Sequence, residues 1–422
     1  MKRLTKKLFF LSAALLFILG SLNITSPAAR GTPVISGAEA SANWTLAIYM
    51  DSDNDLDFWA QKDINEMMML GSSSKINVIV FWDSFTGPGY VYRVLQGGLQ
   101  ELPQCKLDGI EPNMGDPSTL RGFTEFVFKK FPAKHRALML WDHGDDFRGV
   151  MFDNHIPGEG FDLLTHQEVV QALSGFKIDV LIYAACVMST IEVVYEYYAS
   201  GLNIDCYVAN EGYDPMDGFP YDSILAKLRA KPDMTSLDFA NLLVDEYIGY
   251  YTNQGKAYSQ SVTLSALQVN QAGRVVSDLQ SMIEAIRSDT GHYAQIVSDA
   301  RGHANLPWSE NGWERLIDLT MFVKTIRAES LDPQKVWEID PAVVDSVVSS
   351  SELLLQSLSE ATVYFRNTPA MDKKGCYGLA VYFPTSRDSF ERNWQIYGTL
   401  YSLMKFAGQG WLDFLYDYWS RL

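Results

Sequence analysis

The stretch IDVLIYAAC (178–186) is an apolar run, interrupted only by Asp179, that stops on a cysteine, and ALMLWDHG (137–144) is a second apolar run that leads through Asp142 to a histidine. Short runs of this kind predict strands buried on both faces, as in a parallel sheet covered by helices. In an open parallel sheet, loops at the carboxyl ends of the strands carry reactive side chains out of the core. His143 and Cys186 are about 40 residues apart, enough for one crossover helix between neighbouring parallel strands. The spacing therefore predicts a base and a nucleophile in one crevice. Gly144 follows His143 directly and frees a backbone N–H for close approach to a substrate oxyanion. The competing reading is structural. A lone cysteine at a strand end is commonly a small buried hydrophobe, and a lone histidine there is commonly part of the core. Only their joint placement favours chemistry.

Working outward, Trp44–Met50, Ile76–Trp82 and Ile204–Ala209 read as further buried strands, and Tyr90–Leu95 as an antiparallel addition after the Gly87-Pro88-Gly89 turn. Helical patterns run through Met69, over Ser118–Lys130, Thr165–Leu173 and Ser189–Tyr198. This alternation predicts an α/β fold, a mostly parallel sheet with helices on both faces. The second half differs. After Tyr221 helices dominate, interrupted by a strand-like Ser261–Leu267, and continue to Asn367 before an apolar strand over Tyr377–Phe383 and a last amphipathic helix through Leu415. The expected organisation is a leader over 1–29, a small polar linker over 30–43, a core over 44–220, and a helix-rich part over 221–422 that completes the sheet.

The leader reads as a secretory signal: Lys2, Arg3, Lys6 and Lys7 precede an apolar run from Leu8 to Leu22, with Ser26, Ala28 and Ala29 at a cleavage site. The run is shorter than the roughly 20 residues that a spanning helix needs, with an uncleaved anchor as the alternative. Export to the cell surface or medium is expected. Of 422 residues, 47% are hydrophobic and 20% charged, and the formal net charge is −17. That charge argues against nucleic acid and anionic membranes as partners and leaves room for basic peptides or divalent cations. Four cysteines, at 105, 186, 206 and 376, include no CxxC pair or zinc-ligand spacing. In an exported protein Cys105 and Cys376 are a conceivable disulfide. Oligomeric state is not legible.

Five segments in order, WTLAIYMDSDNDLD (44–57), LMLWDHG (138–144), AACVMSTIEVVYE (184–196), LIDLTMFV (316–323) and GLAVYFP (378–384), resemble the clostripain family of cysteine peptidases, of the caspase- and gingipain-like clan. The resemblance spans about Trp44 to Trp419. It implies a caspase-like sheet and a Cys-His dyad acting on peptide or protein substrates, with Cys186 attacking the scissile carbonyl and His143 acting chiefly as general acid toward the leaving amine. The N–H groups of Gly144 and Cys186 would hold the oxyanion.

Two departures bear on specificity and activation. Where the family has an Asp that helps bind a basic P1 side chain, this chain has Ala184, so a basic preference would have to come from Glu211, Asp214 or Asp217 downstream. Equally, these three could be solvated turn residues. Family members also cleave themselves after a basic residue between His and Cys, and here that interval holds only Arg148 and Lys177, both poor scissile sites. No cofactor is required. The alternating oxygen side chains of Asp51, Asp53, Asn54, Asp55 and Asp57 suit calcium but lack the Gly and distant Glu of an EF-hand loop, and the preferred reading is that Asp53 or Asn54 caps the next helix. Two alternatives to a secreted endopeptidase stay open: a catalytically silent binding module, and a dyad enzyme with a non-basic P1 or transpeptidase activity.

Overall fold

The computed structural model describes residues 42–156, 158, 160–253, 262–306, 316–392 and 399–422. The leader and most of the linker lie outside them. Among the described residues, thirteen strands occur in chain order: β1 (Ala42–Ser52), β2 (Ile76–Ser84), β3 (Tyr90–Leu95), β4 (Gly98–Glu101), β5 (Ala133–Trp141), β6 (Val150–Asp153), β7 (Asp162–Leu164), β8 (Lys177–Ala184), β9 (Asn203–Ala209), β10 (Thr263–Gln268), β11 (Leu316–Asp318), β12 (Thr362–Asn367) and β13 (Ala380–Tyr382). Nine of them form one sheet in the order β12-β10-β9-β8-β5-β1-β2-β3-β4.

The sheet's centre, from β2 through β1, β5 and β8 to β9, is parallel throughout. Antiparallel strands extend both edges. From β1 the chain first steps to β2 on one side and then returns to β5 on the other. That reversal opens a crevice beyond the carboxyl ends of β1 and β5, the place where such sheets bind ligands.

Both faces of the sheet are covered, which is why its central strands read as continuous apolar runs. Successive β1 side chains alternate. Ala47 and Tyr49 join one core, which includes the helices Pro117–Lys130, His166–Leu173, Ile191–Ala199 and Ala272–Arg287, while Trp44, Leu46, Ile48 and Met50 join the other, under Asp57–Leu70, Tyr221–Ala230 and Ser236–Asn253. Local signals start these helices where expected. Thr165 and Glu168 form a reciprocal capping box ahead of His166–Leu173. Asp340 accepts a hydrogen bond from the Ala342 N–H, with Pro341 opening the long helix to Ala361.

The second half departs from expectation in one respect. The strand that extends the sheet beyond β10 is β12, inside the stretch read as helix, whereas the apolar 377–383 run forms β13 and pairs with β11 in a separate two-stranded sheet. TVYFRN at β12 is only partly buried at an edge, so it lacks the apolar run that marks the central strands. β13 is fully buried, but its partner is not the main sheet. It bridges Thr190 instead, with the Ala380 N–H donating to Ser189 O at 2.9 Å. No helix among the described residues is long and apolar enough to cross a membrane.

Candidate active site

The parallel register places Trp141 beside Ala184. His143 and Cys186 each come two residues later, so the two strand ends deliver them side by side. They line one cleft of about 360 Å³ with Leu56, Trp59, Trp141, Gly144, Ala184, Asp214 and Phe219 among its walls. A β-carbon on Gly144 would lie 2.5 Å from Cys186 O and 3.1 Å from Ala185 Cβ. Only glycine allows the two ends to meet so closely.

His143 is held from the loop after β1. Its Nε2 is 2.8 Å from Asp55 Oδ1. Burial alone would depress the imidazole pKa, but the Asp55 hydrogen bond and the charges of Asp142 and Asp55 outweigh it and raise the value above the ordinary one. The same bond lowers the pKa of Asp55. Beside it, Asn54 Nδ2 donates to Asp142 Oδ1 at 2.8 Å and to Phe152 O at 3.1 Å. Burial pushes Asp142 up to about 7. The expected helix cap is therefore different. Leu56 is the N-cap residue of Asp57–Leu70 without a side-chain bond, Asn54 accepts from the Leu56 N–H at 2.9 Å, and Asp53 does not cap it. Side chains of this loop are drawn off to the histidine and its neighbour.

The residue after the cysteine is unusual. Val187 has φ +55, a left-handed conformation that a β-branched side chain rarely adopts. Its N–H donates to Gly212 O at 2.7 Å, so it is turned away from the cleft. Further along, Ser189 Oγ donates to Gly378 O at 2.6 Å, which ties the cysteine loop to the C-terminal half.

The three downstream acids part company. Asp214 lines the cleft, and its backbone N–H lies 3.3 Å from Cys186 Sγ. Its Oδ1 accepts from the Tyr247 hydroxyl, while Oδ2 has no partner. Burial pushes its pKa up to about 7 against the pull of Tyr247. Asp217 stands outside the cleft lining, 3.8 Å from Lys62 Nζ. Glu211 is not a cleft residue at all. Fully buried, it accepts from the Gly378 N–H at 2.9 Å and faces Asp318, whose oxygens accept from the Met321 and Tyr377 N–H groups. A strand-end residue followed by a tight turn points alternately toward and away from the crevice, and Glu211 falls on the inward phase.

Asp63 is an acid that the helical pattern concealed. It sits on the buried face of Asp57–Leu70 with Ala60, Ile64 and Met67, where an acid among apolar positions was the available signal. Its Oδ2 accepts from Trp141 Nε1 at 2.8 Å, and a β-carbon on Gly218 would lie 2.8 Å from that same oxygen. Asp63 thus stands directly behind the cleft wall, with Oδ1 unpartnered and 3.9 Å from Lys62 Nζ.

The five oxygen-bearing residues whose alternation suits calcium also separate. Asp55 serves His143, Asn54 serves Asp142, and Asp57 accepts from Ser52 Oγ. Asp51 and Asp53 instead meet Asp83 at the end of β2, where burial pushes the Asp83 carboxyl up to about 9. None of the four cysteines is in a disulfide: Cys105 and Cys376 are buried thiols, so the Cys105–Cys376 bridge does not form in this structure. Arg148 is itself buried and ion-paired with Asp145 and Asp146.

A sequence profile of the clostripain family matches residues 48–419. Clostripain of Hathewaya histolytica is 23% identical over 445 aligned residues, covering 87% of this chain and 79% of that one. The fold is similar to that of a secreted C11 cysteine protease of Bacteroides thetaiotaomicron in complex with an irreversible peptide inhibitor (TM-score 0.62, 16% identity, 88% of this chain and 99% of that one). It is also similar to an inactive zymogen C11 protease of Parabacteroides distasonis (TM-score 0.59, 16% identity, 88% and 98%).

Proposed function

The chain belongs to the clostripain family of cysteine peptidases, and from that premise we propose that it is a secreted endopeptidase working through a Cys186–His143 dyad. The carrying observation is that both side chains line one cleft at the switch point of the sheet. Export follows from the basic-then-apolar leader, and a structural relative is a secreted protease.

Cys186 Sγ attacks the scissile carbonyl carbon, and the oxygen becomes an oxyanion. The Gly144 and Cys186 N–H groups hold it. In support, the ladder beside Gly144 uses the Asp145 N–H, which donates to Gly149 O at 3.0 Å, and the Val187 N–H is already taken by Gly212. Each such donor contributes about 3–4 kcal/mol to transition-state stabilisation. As the C–N bond breaks, His143 gives its proton to the departing amine. A raised imidazole pKa keeps that proton available at neutral pH. Water then attacks the thioester, His143 takes its proton, the C–S bond breaks to release the carboxylic acid product, and Cys186 sulfur is left as the nucleophile that began the cycle, beside a protonated His143.

The P1 side chain descends toward Ala184, which offers no charge. Asp214 supplies it: it lines the cleft, has an unpartnered oxygen and has no basic partner among the described residues, whereas Lys62 lies near Asp63 and Asp217. A basic P1 is the favoured substrate on this reading, and a neutral P1 is the competing one.

A biotinylated peptide acyloxymethyl ketone with Arg at P1 tests the dyad. The wild type should be labelled in a single position, Cys186→Ala should lose both labelling and peptidase activity, and His143→Ala should lose nearly all turnover with an unchanged melting temperature. Full activity in either variant would end the assignment.

A further inference from the structure

A second histidine lies beneath the dyad, on the face of the sheet opposite Trp141 and Ala184. His166 opens the helix His166–Leu173 and is fully buried. Its Nε2 is 2.7 Å from Asp146 O and its Nδ1 is 2.7 Å from the Tyr197 hydroxyl, which in turn bonds the Tyr183 hydroxyl. Burial pushes the His166 pKa down to about 4, against the bond to the Asp146 carbonyl, so at neutral pH the imidazole is uncharged and carries a single N–H. A carbonyl oxygen only accepts, which places that hydrogen on Nε2. Nδ1 must then accept from Tyr197, and Tyr197, its own hydrogen committed, must accept from Tyr183. The series Tyr183–Tyr197–His166–Asp146 therefore runs in one direction, and each member is satisfied.

Its two ends belong to the two arms of the active site. Tyr183 is on β8, three residues before Cys186, and Tyr197 is on the helix Ile191–Ala199 that follows the cysteine loop. Asp146 comes three residues after His143. There Gly144 bridges Val150, the Asp145 N–H donates to Gly149 O at 3.0 Å, and Asp146–Arg148 closes the loop as a single 3₁₀ turn. Asp146 has φ +47, a left-handed conformation that persists only where its surroundings hold it. Arg148 pairs with the Asp145 and Asp146 carboxylates, and Phe147 packs against Tyr382 and Tyr401, so side chains anchor the turn. His166 holds its backbone. A displacement of Asp146 O passes through one intervening residue, Asp145, to Gly144.

We propose that His166 is a positioning residue for peptide-bond cleavage: by donating to Asp146 O it fixes the turn that sets the direction of the Gly144 N–H, and so aligns that oxyanion donor with Cys186. The role rests on the reading of Cys186, His143 and Gly144 as the reacting groups. Space filling is the competing account, and the two differ in what they ask of the side chain. Packing needs only bulk. Positioning needs an N–H at the place of Nε2.

Three substitutions in the full-length protein separate them, with the wild type and Cys186→Ala as references. His166→Phe keeps a ring and loses both bonds. Its kcat on a peptide substrate should fall about tenfold to a hundredfold, less than the loss of a whole oxyanion donor, with KM nearly unchanged. His166→Gln, whose amide N–H reaches the place of Nε2, should recover most of that loss. His166→Asn, shorter by one carbon and limited to the place of Nδ1, should not. Alkylation of Cys186 by iodoacetamide, a displacement at carbon that forms no oxyanion, should keep the wild-type rate in all three. Wild-type kcat in His166→Phe, or equal losses in the Gln and Asn variants, would overturn the positioning role. So would a parallel fall in alkylation, which would mean general loosening around the thiol. If His166→Phe does not fold, judged by circular dichroism, the Gln and Asn pair decides. Wild-type cleavage that survives in Cys186→Ala would end the dyad reading and the positioning role with it. Cleavage that needs Cys186 but is indifferent to His166 would remove the positioning role alone.

Discussion

Two pairs of buried carboxyl groups lie close together in this molecule and have opposite characters. Glu211 and Asp318 face one another beneath the cysteine loop, and the N–H groups of Gly378, Met321 and Tyr377 all donate to them. Asp63 and Asp214 stand at the cleft, where the Trp141 indole and the Tyr247 hydroxyl donate to them. Both pairs keep an oxygen without a hydrogen-bond donor, Glu211 Oε1 in the first and Asp63 Oδ1 and Asp214 Oδ2 in the second. In both pairs burial raises the carboxyl pKa values. What separates them is where they point. A pair bridged by backbone N–H groups of the C-terminal half fastens two parts of the fold, whereas Asp214 lines the cleft that a ligand would enter.

That contrast can be broken at four points. The largest effect is expected at the junction of the two strand ends. Gly144→Ala puts a methyl 2.5 Å from Cys186 O and should lower kcat/KM by roughly 10²–10³-fold, about the cost of losing one oxyanion donor, while the fold, judged by circular dichroism, survives. Next is the fastening pair. Glu211→Ala strands the Gly378 N–H and leaves a cavity, and should cost about 2–4 kcal/mol in denaturant unfolding.

The pH dependence of that cost has a definite sign. Both carboxyls have folded pKa values above the ordinary 4.5 and 3.8, with Asp318 at about 6. The folded state therefore holds their protons more tightly, so their contribution is full below about pH 4 and declines as pH rises through about 6. Glu211→Gln, which cannot ionise, should flatten the fall in stability between pH 4 and 7. An equally steep fall would remove the pair from the account.

At the cleft pair, Asp214→Asn should reduce kcat/KM for an Arg substrate about tenfold, roughly 1.4 kcal/mol, and barely touch a neutral one. Because Asp214 ionises at about 7, the wild-type ratio of Arg to neutral cleavage should climb between pH 6 and 8, and this climb should vanish in the variant. An Arg preference that survives the substitution would move the specificity elsewhere. Smallest is Asp55→Asn. Without that carboxylate the His143 pKa falls, so the alkaline limb of the pH–rate profile should move to lower pH with a few-fold loss of activity near neutrality.

Much of the parallel core was legible because a strand covered on both faces reads as a near-continuous apolar run, as VLIYAA (180–185) does. His143 and Cys186 were legible from where those runs stop. Partnership was less so. The 377–383 run announced burial truly but not that β13 would pair with β11, and the half-buried TVYFRN of β12 hid an edge strand within a helical stretch. Glu211, Asp214 and Asp217 look alike in a turn-rich segment, yet the turn sends one inward, one to the cleft and one to Lys62. Asp63 and Asp83 acquire meaning only through neighbours distant in sequence. Local pattern reports whether a residue is buried; it does not report beside what.

Val187 carries a consequence for evolution and for engineering. A valine held at φ +55 lies about 1–2 kcal/mol above an unstrained one, yet its side chain is buried in the core against one face of the sheet. Glycine would relieve the torsion but give up burial worth about 1.5–3 kcal/mol and leave a cavity. Val187→Gly should therefore lower the melting temperature and, by loosening the segment next to the thiol, slow acylation. A screen for heat resistance would keep the valine, whose own packing holds the backbone beside the thiol in a costly shape.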